Sequence, residues 1–137
     1  MNRNPGRVES DIEEWLDRAF GATKTLWLDR GFDCDHTDGH IDNLARFVAP
    51  GRVVCMTPAG RDDPNADVLE EIRDTLASAR DGRGRPLEIV TVPSPGEVTD
   101  ADGELLSASY MNYCVTNTSV VVPTFGVAND AAAVDAI

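Results

Sequence analysis

No stretch of these 137 residues stays apolar for the roughly 20 positions needed to cross a bilayer, which excludes a spanning helix. The opening residues, "MNRNPGRVES", also lack the apolar core of a secretory signal, so a cytoplasmic protein is expected. Positive charge is scarce. Twelve Lys and Arg stand against 24 Asp and Glu, for a formal charge of −12. A phosphate backbone needs cations to displace its counterions, so neither nucleic acid nor a membrane is an expected partner. Aromatic residues are only 6%, which leaves an aliphatic and alanine-based core. The three cysteines, Cys34, Cys55 and Cys114, form no CxxC, so neither a structural zinc site nor a disulfide framework has support. No GxGxxG or GxxxxGK[ST] loop occurs, and nucleotide binding therefore has no motif.

What the chain does have is 42% apolar and 26% charged residues, the composition of a soluble globular domain. "SDIEEWLDRAF" reads as a helix capped by Ser10 and Glu13, with Ile12, Trp15, Leu16 and Phe20 on its apolar face and Gly21 ending it. Residues 23–28, "TKTLWL", read as a buried strand. Pro50-Gly51 marks a turn before a strand over Arg52–Met56. A second helix follows, with Asp63 as its cap, Pro64 in its first position, and Val68, Leu69, Ile72 and Leu76 on one face. "LEIVTV" (Leu87–Val92) is another strand, and "PSPGEVTDADGELLS" a surface loop. "ASYMNYCVTNTSVVVP" reads as two strands joined at Asn117-Thr118, and "NDAAAVDAI" begins a helix capped by Asn129. Strands alternating with amphipathic helices place the chain in the α/β class. Cys55 and Cys114 fall within these strands and read as core.

The chemistry concentrates in "HTDGHIDN", residues 36–43, which holds both histidines of the chain. Three readings compete. Zinc would take His36, His40 and a carboxylate, but a four-residue spacing faces two histidines one way only on a helix, and Thr-Asp-Gly is a poor helix interior. An Asx turn would use Asp38 to bond the backbone and Gly39 at positive φ, leaving the histidines at the surface. In the third reading, His40 and Asp42 point to one face of an extended segment. There the carboxylate would hold a cationic substrate while the imidazole gives and takes protons near neutral pH.

"TDGHIDNLARFVAPG" (Thr37–Gly51) resembles the agmatine deiminase family, which shares its fold with bacterial-type peptidylarginine deiminases. "NRNPGR" near the start, "ASYMNY" (Ala108–Tyr113) and "VVVPTFGVANDAAA" (Val120–Ala133) agree with it in the same order, so the resemblance covers essentially the whole chain. It implies a pentein fold, in which ββαβ units form the blades of a five-bladed α/β propeller around a central site. It also implies hydrolysis of a guanidinium group, with no metal or organic cofactor: a cysteine thiolate attacks the guanidinium carbon, ammonia leaves, and water frees the ureido product. With agmatine the products are N-carbamoylputrescine and ammonia, on a route from arginine to putrescine. By the resemblance His40 protonates the leaving ammonia and then activates water. Asp42 clamps the guanidinium nitrogens, Asp38 is a second candidate for binding the substrate, and Asp38, Gly39 and Asn43 shape the loop.

The chain also departs from the family pattern. Asp35-His36 stands where two acidic residues are usual. The glycine-rich segment that carries the nucleophile, and the upstream aspartate and glutamate, have no counterpart in residues 1–137. Cys34 is near His40 in sequence, but its aspartate neighbours work against a thiolate. The expectation is therefore a partial catalytic domain of about two to three blades, inert by itself. Its partners would be a small guanidinium cation and either the missing blades or another copy of the chain, because isolated blades leave apolar edges open. Two alternatives stand beside it: a peptidylarginine deiminase-like hydrolase, and a module that binds a guanidinium or amine without hydrolysing it.

Overall fold

The computed structural model describes residues 4–32, 34, 35 and 39–137. At its centre, β1 (Ala45–Ala49) turns through Pro50-Gly51 into antiparallel β2 (Arg52–Thr57). Gly51 takes φ 75 there, a conformation that favours glycine. Helix α2 (Ala66–Ser78) then crosses over and returns the chain as β3 (Glu88–Pro93), which runs parallel to β2 from Arg52 opposite Glu88 to Thr57 opposite Pro93. The sheet order is β1-β2-β3, so β2 is the inner strand. Its run Val53-Val54-Cys55-Met56 is unbroken and apolar, as a strand covered on both faces requires, and all four residues are buried. The expected face of α2 is buried in full: Val68, Leu69, Ile72 and Leu76. Each such side chain contributes roughly 1.5–3 kcal/mol by leaving water. This β-β-α-β unit has the connectivity expected of one blade.

Strand β1 was not foreseen in the sequence, although a Pro-Gly turn between two apolar runs is a hairpin signal. Helix α2 begins later than expected. Asp63 does not cap it. Instead its carboxylate accepts the N–H groups of Ala59 and Asn65, both at 2.9 Å, and the hydroxyl of Ser94. It ties the end of β2 to the end of β3, and the helix starts two residues further on, with Asn65 at its cap.

The flanks are thinner. Helix α1 (Glu9–Phe20) starts at Val8, whose N–H is taken by Asp11 rather than by a Ser10–Glu13 pair, and it ends at left-handed Gly21 as expected. Its apolar face does not reach a core. No residue of α1 is buried, and Phe20 is 81% exposed. The strand expected at residues 23–28 does not form either. Its Leu26 and Leu28 pack against the core, but no described segment pairs with it in a ladder. At the other end lie β4 (Cys114–Val115), β5 (Val120–Val121) and α3 (Asp130–Ala136). The hairpin forms about its expected turn, but all four of its strand residues are exposed. Cys114 is therefore surface rather than core: the hairpin has two strands, and among the described residues none covers either face.

Candidate functional site

His40 stands at the entry to a short 3-10 turn, Ile41–Asn43, that leads directly into β1. The loop before it closes at two glycines. A Cβ on Gly31 would lie 2.6 Å from the Cα of Gly39, and Gly39 itself has φ 85, so only glycine lets the two ends of this loop pass. The Asp35 carboxylate then accepts the N–H of His40 at 2.9 Å. Within the turn, Asn43 N–H donates to His40 O at 3.1 Å and Leu44 N–H to Ile41 O at 3.0 Å, and Leu44 is buried below it.

His40 is half-buried and Asp42 is exposed. The turn overturns one expectation: residues 40 and 42 do not share the face of an extended segment. Ile41–Asn43 form the 3-10 turn, and His40 enters it with extended backbone at φ -64 and ψ 121. Asp38, and His36 of the zinc reading, lie outside the described residues.

The rear of the turn is held by "ASYMNY". The Ser109 hydroxyl donates to Asn43 O at 2.7 Å, and Asn112 Nδ2 donates to Asn43 Oδ1 at 3.3 Å. Arg46 of β1 completes the junction. Its guanidinium donates to Met111 O at 3.2 Å and to Tyr113 O, and lies 4.2 Å from the Tyr113 ring centroid. The third stretch joins through Tyr110, whose hydroxyl donates to Asp130 at 2.6 Å. Asp130 also accepts the N–H groups of Phe125, Gly126 and Val127. The Tyr110 bond, backed by those N–H groups, holds its carboxyl below the usual range. Burial, and then the Asp130 bond, push the Tyr110 phenol up. Asn129 stands at the N-cap of α3 as expected, while its side chain donates to Ser94 O at 2.8 Å rather than to the helix.

Sequence reasoning missed Asp35, Arg46, Ser109, Asn112, Tyr110 and Asp130. The available signal was polar residues set inside apolar stretches, which need partners once buried. Among the thiols, Cys55 is wholly buried and its pKa is pushed up by that burial; Cys34 is half-buried against the core. An apolar cleft of about 320 Å³ opens between residues 22–28 and β1, lined by Leu16, Leu26, Leu28, Phe47, Val53 and Leu76. Neither His40 nor Asp42 lines it.

Comparison with known proteins bears on what this junction is. The family model of the Porphyromonas-type peptidyl-arginine deiminase matches residues 1–137. A Legionella pneumophila (strain Paris) protein, provisionally named agmatine deiminase, is 42% identical over 125 residues, which are 91% of this chain and 36% of that protein. The structure of an Enterococcus faecalis agmatine deiminase catalysing its reaction superposes with a TM-score of 0.89 at 31% identity, over 98% of this chain and 41% of the other. A Cys-to-Ser variant of the C. jejuni agmatine deiminase with substrate bound gives a TM-score of 0.80 at 27% identity, over 95% and 37%. The chain thus spans about two-fifths of the length of these relatives. Its mixed α/β architecture is the corresponding part of their pentein fold.

Proposed function

The chain belongs to the Porphyromonas-type peptidyl-arginine deiminase family, and from that premise we propose that it carries the His–Asp half of a guanidinium hydrolase site acting on agmatine. Asp42 takes two N–H groups of the flat cation, a charge-assisted pair that orients the guanidinium carbon. His40 gives a proton to the departing ammonia and then takes one from the water that frees the ureido product. The reaction needs no metal or organic cofactor. As the family pattern implies, the attacking thiolate comes from a part of the fold outside residues 1–137; Cys34 packs against the core, Cys55 is sealed in β2 and Cys114 stands on an open hairpin. The chain alone is inert. N-carbamoylputrescine, the product, places the activity on a cytoplasmic arginine-to-putrescine route. Exposed Phe20, Val115, Val120 and Val121 support the reading that other parts of the fold lie over these faces.

One observation carries the proposal: the 40–43 turn is bonded to "ASYMNY" within a part of the fold that superposes on an agmatine deiminase. The names of the curated relatives favour agmatine over peptidyl-arginine as substrate. The test is a chimera in which this chain replaces the matched part of the E. faecalis enzyme, assayed for ammonia released from agmatine. His40→Ala is expected to lower turnover by roughly 100-fold or more, and Asp42→Asn to lower kcat/KM. Undiminished turnover in His40→Ala would refute the reading. A preference for a peptidyl-arginine substrate would reassign the substrate class, and binding without ammonia release would leave a non-catalytic module.

A further inference from the structure

We propose that Ser109 is a positioning residue for His40 and Asp42, an inference that rests on the deiminase reading above. A 3-10 turn of three residues is weakly held by its own hydrogen bonds, so its orientation depends on what grips its ends. At the front, Asp35 takes the N–H of His40. At the rear, Asn43 O, one residue past Asp42, receives the Ser109 hydroxyl at 2.7 Å. Ser109 is 4% exposed, and its oxygen also accepts Met111 N–H at 3.1 Å. A buried hydroxyl that donates to Asn43 O and accepts Met111 N–H ties the turn to its own segment, with Met56 Sδ 3.8 Å away.

The segment bearing Ser109 is fixed in turn from β1. Arg46 donates to the carbonyls of Met111 and Tyr113, and Arg46 lies three residues beyond Asn43. The contacts form a closed circuit: Asn43 to Ser109, Ser109 through Met111 to Arg46, and Arg46 back along β1 to Asn43. Asp42 is thereby set in the frame of the central sheet. Removing the hydroxyl opens the circuit at the carbonyl beside Asp42, and a shift of about 1 Å in such a group costs up to roughly 100-fold in rate.

In the chimera, Ser109→Ala is expected to lower kcat/KM for agmatine by about tenfold, and Ser109→Thr, which restores the hydroxyl, to recover most of it. Ser94 supplies the control. It is 2% exposed, and its hydroxyl bonds to Asp63 just beyond the ends of β2 and β3, so Ser94→Ala loses a buried hydrogen bond that holds no residue of the turn. Ser94→Ala should leave kcat/KM unchanged. Amide exchange in the full chain itself gives an independent reading: Asn43 and Leu44 should exchange about tenfold faster in Ser109→Ala and at the native rate in Ser94→Ala. Unchanged kcat/KM or exchange in Ser109→Ala, or equal losses in the two variants, would overturn the positioning role. Failure of the deiminase reading is distinguished from this by His40→Ala, which would then retain turnover.

Discussion

Helices α1 and α2 have the same kind of amphipathic pattern and opposite fates. The apolar face of α2 is buried in full on β2 and β3, whereas α1, of similar length, buries no residue. The strands repeat the contrast: β2 is sealed from Val53 to Met56, while β4 and β5 stand exposed on both sides. A periodic pattern therefore tells which face requires cover, and not whether cover is present. In this molecule the cover is a paired sheet. Residues 45–93 build a three-stranded one, and Tyr110, Met111 and Ala133 are buried beside it, whereas α1 and the β4–β5 hairpin stay at the surface.

The contrast can be broken experimentally. Leu69→Ala, in the buried face of α2, should cost about 3 kcal/mol in urea denaturation; a loss below about 1 kcal/mol would remove the distinction between centre and flank. Asp63→Ala removes the acceptor of the Asn65 N–H and the Ser94 hydroxyl and should cost about 2 kcal/mol by the same measurement. Tyr110→Phe removes the bond to Asp130 that ties α3 to the centre, and should cost about 1 kcal/mol.

A smaller effect belongs to the turn after α2, where the Asp81 carboxyl is lowered from 3.8 to about 2, first by the Arg85 backbone N–H and then by its guanidinium. A depressed carboxyl contributes stability that is complete above its unfolded pKa and is lost as the pH falls through the folded one. The thermal midpoint should therefore fall between pH 3.8 and about 2, and Asp81→Asn should flatten that fall. Least of all, Phe20→Ala on α1 should change stability by no more than about 0.5 kcal/mol. A loss comparable to that of Leu69→Ala would show that α1 is packed after all.

Much of the centre was legible in the sequence because local signals and tertiary cover agree there. The four apolar residues of α2, the strands β2 and β3, and the Gly21 stop are all where periodicity and glycine placed them. Residues 23–28 were misread for a reason that no local signal shows: a strand needs a neighbour, and no described segment pairs with them. Asp63 was misread because a helix cap and a loop tie call for the same residue type, and only the fold brings Ser94 to it. The site divides in the same way. "HTDGHIDN" announces its chemistry by composition, whereas Ser109 and Arg46, which grip it, lie 66 and 65 residues from their partners Asn43 and Met111. Nothing local marks a serine as the keeper of a distant carbonyl.

The central claim is that the turn at 40–43 presents its imidazole and carboxylate to a planar cation. A crystal structure of the chimera with agmatine bound tests it most directly. The account predicts two guanidinium nitrogens within hydrogen-bonding distance of the Asp42 carboxylate and the His40 ring beside one of them. Agmatine seated elsewhere, with both side chains turned into bulk solvent, would contradict it.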